Sequence, residues 1–121
     1  LTGANLKEVS LQHVDLVGRN FSDADLTKAD LSNANLIDAD LRNADLTGAN
    51  LRGANLINAN LNGAILKDTN LSYSDLMNRD FSNHNLSTAN LRGVNFMEKE
   101  LLLTQTGKLD KAFGKTIHLL A

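Results

Sequence analysis

The sequence predicts an all-β solenoid in which the chain turns once every five residues, and three observations predict it. Every fifth residue from Leu1 to Leu101 is Leu or Phe, twenty-one in succession, eighteen of them Leu, with Phe21, Phe81 and Phe96 the others. Two residues before this central position, eleven of twenty residues are Ala, nine of them consecutive from Ala24 to Ala64. Immediately before it, seventeen of twenty are Asn or Asp. No insertion breaks the phase. We write i for the central position and number its neighbours from it.

Each part of the unit follows from its residue type. Five steps along an α-helix leave a net rotation of about 140°, which would scatter the leucines around the axis. Five is odd, so in one continuous strand they would alternate between faces. The chain must therefore turn within each unit. Positions i−2 and i are two apart, the strand period, and carry Ala and Leu, so both are expected to point inward. At i+2, fourteen of twenty residues are Gly, Asn or Asp. These tolerate positive φ and suit a corner. The Asn or Asp at i−1 has a short side chain that can hydrogen-bond nearby backbone and replace water at the turn.

The run Ala39-Asp40-Leu41-Arg42-Asn43 followed by Ala44-Asp45-Leu46-Thr47-Gly48 shows the unit cleanly. This tandem pattern resembles the pentapeptide-repeat family, and the resemblance extends over residues 1–101. It implies a right-handed quadrilateral parallel β-helix. Four units would make a coil of twenty residues, and about five coils would stack through parallel ladder hydrogen bonds. At roughly 4.8 Å per stacked strand the rod would be near 24 Å long. The core expected from this arrangement includes Leu26, Leu31, Leu36, Leu41, Leu46, Leu51, Leu56 and Leu61.

The repeat stops near Leu101. In residues 102–121, Leu109, Ala112, Phe113, Ile117 and Leu120 follow helical spacing, with Thr106 placed to cap the start and Gly114 weakening the interior. Two domains are thus expected: a β-helix over 1–101 and a capping tail, a short C-terminal helix, over 102–121. Leu109, Phe113, Ile117 and Leu120 would cover the last coil or form a dimer contact. Leu1 already occupies a core position and no initiator Met precedes it. The expectation is an excised domain or processed product, whose first coil packs on a missing segment or on a second copy.

If the coil is twenty residues, residues twenty apart share a column. At i+1 three columns are polar throughout, and the fourth reads Val17, Ile37, Ile57, Met77 and Met97. A contiguous apolar stripe on a polar surface points to an interface. Cover by another part of the chain, or branched residues simply suiting strands, are the alternatives. One inward column reads Arg19, Ala39, Ala59, Arg79 and Lys99. A charge cannot sit unpaired inside the coil. These side chains are therefore expected either to swing out and distort it or to lie near an open end. His84 falls at i−2 as well, where a locally widened coil competes with a binding role alongside Arg79. Ile65, at a position otherwise almost always Asn or Asp, is an exposed apolar exception.

Composition excludes more than it assigns. The chain has 121 residues, enough for one domain, a net charge of −2 and no cysteine. Disulfides, thiolate metal sites and thiol nucleophiles are excluded. His13, His84 and His118 lie in different contexts with no ligand-spaced partner, so no metal, cofactor or catalytic residue is expected. No signal sequence or apolar span of about 18 residues is present, leaving the cytoplasm as the expected compartment. Asn20-Phe21-Ser22, Asn70-Leu71-Ser72 and Asn85-Leu86-Ser87 match a glycosylation pattern that an Asn- and Ser-rich repeat produces trivially. The expected function is a non-enzymatic protein-binding scaffold, one domain of a longer protein, with a homo-oligomer through the apolar face or an end coil among its partners. The resemblance also implies two alternatives: a DNA mimic acting on DNA gyrase, and a structural spacer. Residues 1–101 carry thirteen Asp and Glu against nine Lys and Arg, a poor polyanion, which disfavours mimicry. Nucleic acid is not an expected partner.

Overall fold

The structure, a computed structural model, describes residues 1–77 and 84–94. Parallel bridges join residues twenty apart: Asn5 to Asp25, Ser10 to Asp30, Asp15 to Asn35, Asn20 to Asp40, and onward as far as Asn70 to Asn90. One coil is therefore twenty residues, four units, and columns run as the repeat predicts. We count coils from residue 1 in steps of twenty.

Every backbone N–H of a regular unit has a partner. In the unit centred on Leu26, the Leu26 N–H donates to the Asp45 carbonyl at 2.8 Å and the Lys28 N–H to the Thr47 carbonyl at 2.9 Å, both one coil ahead. The Asp25 N–H donates back to Ala4 at 2.9 Å. The Ala29 N–H closes the turn on the Leu26 carbonyl at 3.0 Å. The fifth, Thr27 N–H, donates to Asp25 Oδ1 at 3.0 Å. Three bonds stack the coils, one closes the corner, and the side chain at i−1 satisfies the last donor. Buried or half-buried backbone groups need such accounting, which is why the repeat demands Asn or Asp there.

The corners have a positive φ at the third turn residue. All fifteen i+2 residues from Gly3 to Tyr73 adopt it, including Glu8, His13, Lys28 and Tyr73, whose side chains disfavour it. With the closing hydrogen bond from i+3 to i, this is the pattern of a type II turn. Thr88 is a described i+2 residue without it; its β-branched side chain resists the left-handed region.

The core is the stack of Leu and Ala. All eight predicted leucines, Leu26 through Leu61, are buried, as are Phe21 and the nine consecutive alanines. The first coil is less covered: Leu6, Val9 and Leu11 are half-buried and Leu1 is 59% exposed. Arg19 belongs to this coil and is exposed, while its N–H still closes the turn on Leu16 at 3.1 Å. Of the two expectations for Arg19, the open end holds, and the coil is undistorted. Arg79 and Lys99 lie outside the described residues, as do the expected boundary at 101 and the tail 102–121.

Polar residues that replace Ala inside the coil find backbone carbonyls. Thr69 Oγ1 donates to the Leu46 carbonyl at 2.8 Å and Ser74 Oγ to Leu71 at 2.6 Å. His84 is buried, with Nε2 2.7 Å from the Leu61 carbonyl. Beside it the ladder opens. The Asp68 N–H goes to Thr88 Oγ1 at 3.0 Å rather than to backbone. A cavity of about 330 Å³ lies there, lined by Ile65, Leu66, Lys67, His84 and Thr88 among others. His84 and Ile65 both line this cavity, and Ile65 is 49% exposed.

Candidate functional site

The apolar column follows a continuous series of bridges. Bridges run from Asp15 to Asn35, to Asn55 and to Asp75, so Val17, Ile37, Ile57 and Met77 stack in register. Each is positioned identically: its N–H donates to the Oδ1 of the Asn or Asp two residues before, at 3.2, 3.2, 3.1 and 3.2 Å in chain order. Val17, in the first coil, is 45% exposed, whereas Ile37, Ile57 and Met77 are half-buried. Coil spacing of about 4.8 Å lets each side chain cover part of the next. Met97 lies outside the described residues, as do Leu109, Phe113, Ile117 and Leu120.

The other outward columns are polar. At Asp25, Asp30 and Asp40 the carboxyl group is held below the ordinary carboxylate range, first by side-chain hydrogen bonds from Thr27, Ser32 and Arg42, then by the backbone N–H groups they cap. Arg42 forks onto Asp40, with Nε 2.9 Å from Oδ1 and Nη2 2.7 Å from Oδ2, and its guanidinium is raised in turn. Such shifts follow from donors aimed at the charged form. They arise from the hydrogen bonds that cap the turns.

A second outward cluster is absent from the expectations drawn from sequence. Tyr73, 50% exposed, lies under the guanidinium of Arg52, whose Cζ is 4.4 Å from the ring centroid. Arg52 Nη1 also donates to Ser72 Oγ at 3.3 Å. The ring rests where Gly93 leaves room: a Cβ there would fall 2.5 and 2.6 Å from ring carbons. Tyr73 has φ of 58°, a conformation that costs a bulky residue about 1–3 kcal/mol. The available signal was that the chain's single Tyr replaces Gly, Asn or Asp at a corner, between two arginines forty residues apart in one column.

Among the described residues no group of His, Asp and Glu could hold a metal ion, and no helix is long and apolar enough to cross a membrane.

The pentapeptide-repeat profile matches eight copies, over residues 4–43, 34–72 and 44–83. The chain belongs to the pentapeptide-repeat family. A pentapeptide-repeat protein from the thylakoid lumen of Arabidopsis thaliana is 26% identical, with 93% of this chain and 88% of that one covered and a TM-score of 0.53. HetL, a pentapeptide-repeat protein involved in heterocyst differentiation regulation in the cyanobacterium Nostoc, is 28% identical over 79% of this chain and 54% of its own, with a TM-score of 0.49. Rfr23 from the cyanobacterium Cyanothece is 40% identical over 74% of this chain and 61% of its own, with a TM-score of 0.36. No protein with a curated description is detectably similar in sequence. Pentapeptide-repeat proteins form right-handed β-helices, and the twenty-residue register seen here accords with that class.

Proposed function

We propose that this pentapeptide-repeat protein is a non-catalytic scaffold that binds protein through the column Val17, Ile37, Ile57 and Met77. The observation that carries this is the register: one apolar residue from each of four successive coils stands beside a continuous series of bridges, while the other i+1 columns are polar. Apolar residues scattered singly need no explanation, but a contiguous row does. The carboxylates of Asp25, Asp30 and Asp40 accept hydrogen bonds from the turns that they cap, a structural role that fits a binding surface. In this reading the solenoid continues to residue 101 for about five coils, Met97 extends the column, and residues 102–121 form a helical cap or a dimer contact.

The test is sedimentation equilibrium of the chain and of an Ile37→Ser, Ile57→Ser double variant. The parent is expected to self-associate and the variant to shift toward monomer. Substitutions at such half-buried positions should cost no more than about 1 kcal/mol each, so circular dichroism should be unchanged. Identical sedimentation of both proteins would sink the self-contact form of the proposal.

A further inference from the structure

From the Arg52–Tyr73 cluster we infer that the rod carries a second docking surface, centred on Arg52, Tyr73 and Arg92, for an acidic extended peptide. The bridges Asn50 to Asn70 and Asn70 to Asn90 place Arg52, Ser72 and Arg92 in one column and Gly53, Tyr73 and Gly93 in the next. The two arginines are two coils apart, about 10 Å at 4.8 Å per strand. Both are exposed, and among the described residues the ion pair formed is Arg42 with Asp40, with no carboxylate of the described residues paired to Arg52 or Arg92.

The immediate surroundings of the patch carry little negative charge. The bridge positions of the patch, Asn50, Asn70 and Asn90, are uncharged, and Asp30 stands one coil before them in the same column. The nearest acids in sequence, Asp68 and Asp75, flank the patch, and the Oδ1 of Asp75 is engaged with the Met77 N–H. A small positive, aromatic area therefore sits on a chain of net charge −2. Tyr73 keeps a left-handed φ and a half-exposed ring at a corner where Asn33 and Gly53 serve in the same column. Every corner from Gly3 to Tyr73 shares this φ, His13 of the same column included, so what marks the patch is the exposed Arg and Tyr pair, residues on which binding energy concentrates. Two guanidinium forks with a ring between them fit carboxylates spaced along an extended chain.

The inference rests on the scaffold reading but concerns another face, so the two fail separately: Ile37→Ser and Ile57→Ser should leave this surface intact. Tyr73 is the only Tyr and there is no Trp, so intrinsic emission reports on the patch without a label. The probe is octaglutamate, titrated while Tyr73 emission is followed, and in fluorescein-labelled form by anisotropy. A saturable change that is lost at high salt is expected. Arg52→Gln or Arg92→Gln should weaken binding about three- to fivefold and both together by roughly tenfold or more. Tyr73→Asn, which suits the corner and keeps the fold, should also weaken it by anisotropy. Lys7→Gln and Lys28→Gln, in two other columns, should change nothing. The inference is overturned by no saturable signal, by equal loss in the lysine variants, or by displacement of the peptide by an oligothymidylate of equal charge at lower concentration, which would make the surface one for nucleic acid.

Discussion

The side chain at i−1 works as a backbone cap. Its Oδ1 takes the one N–H that neither the ladder nor the turn can reach, as Asn55 does for Ile57 at 3.1 Å. Ile65 cannot do this for Lys67, and the ladder beside it is open. Ile65→Asn should therefore supply the missing acceptor and stabilise the fold by about 0.5–1.5 kcal/mol, read as a higher urea midpoint. An unchanged or lower midpoint would mean that Ile65 contributes more by packing. Where the cap is Asp, it also brings pH dependence. The carboxyl groups of Asp25, Asp30 and Asp40 are lowered in the folded state. A lowered folded pKa contributes stability that is present above the unfolded value and is lost as pH falls through the folded one. Thermal midpoints should thus drop below about pH 4. The triple variant Asp25→Asn, Asp30→Asn, Asp40→Asn retains the Oδ1 acceptor, so it should fold at neutral pH and show a shallower acid decline. An equally steep decline would place the acid sensitivity elsewhere.

At the scale of the coil, stability comes from stacking. Leu51 is wholly buried between neighbouring coils, whereas Leu6 in the first coil is half-buried. Leu51→Ala should cost about 2–5 kcal/mol and Leu6→Ala markedly less, measured by denaturant unfolding. Ala49, equally enclosed, should tolerate no growth: Ala49→Leu is expected to cost about 1–3 kcal/mol through overpacking. The inward positions were legible in the sequence because a solenoid repeats one local environment, so a single rule covers every unit. The corner of Tyr73 was not, because the contacts of its ring with Arg52 and the seat on Gly93 join residues twenty or so apart. Those contacts exist only once the coils are in register.

The whole molecule is a set of columns, and its function depends on their alignment. Each coil contacts only its neighbours, so removing one coil should be tolerated. Deleting residues 41–60 would set Met77 directly after Ile37 and preserve the apolar column. Deleting residues 41–45 would keep the Leu phase but rotate the following coils by one face, bringing Asn62 into that column. Both variants should retain β circular dichroism, and the second should lose the association attributed to the column in sedimentation. Equal association of the two would argue against a role for the column.

What the sequence determined alone was the five-residue unit, the inward Leu and Ala, the left-handed corner and the Asx cap. Each follows from residue type and from interactions spanning at most three positions. The tertiary structure decided which unit stacks on which. The twenty-residue register turns isolated apolar residues into a row, leaves Arg19 outside at the first coil, and opens the ladder beside His84 and Ile65. It also sets Arg52 on Tyr73 and Tyr73 over Gly93. These are contacts between coils, whose partners a local pattern does not name, and they hold whatever distinguishes this rod from any other built on the same repeat.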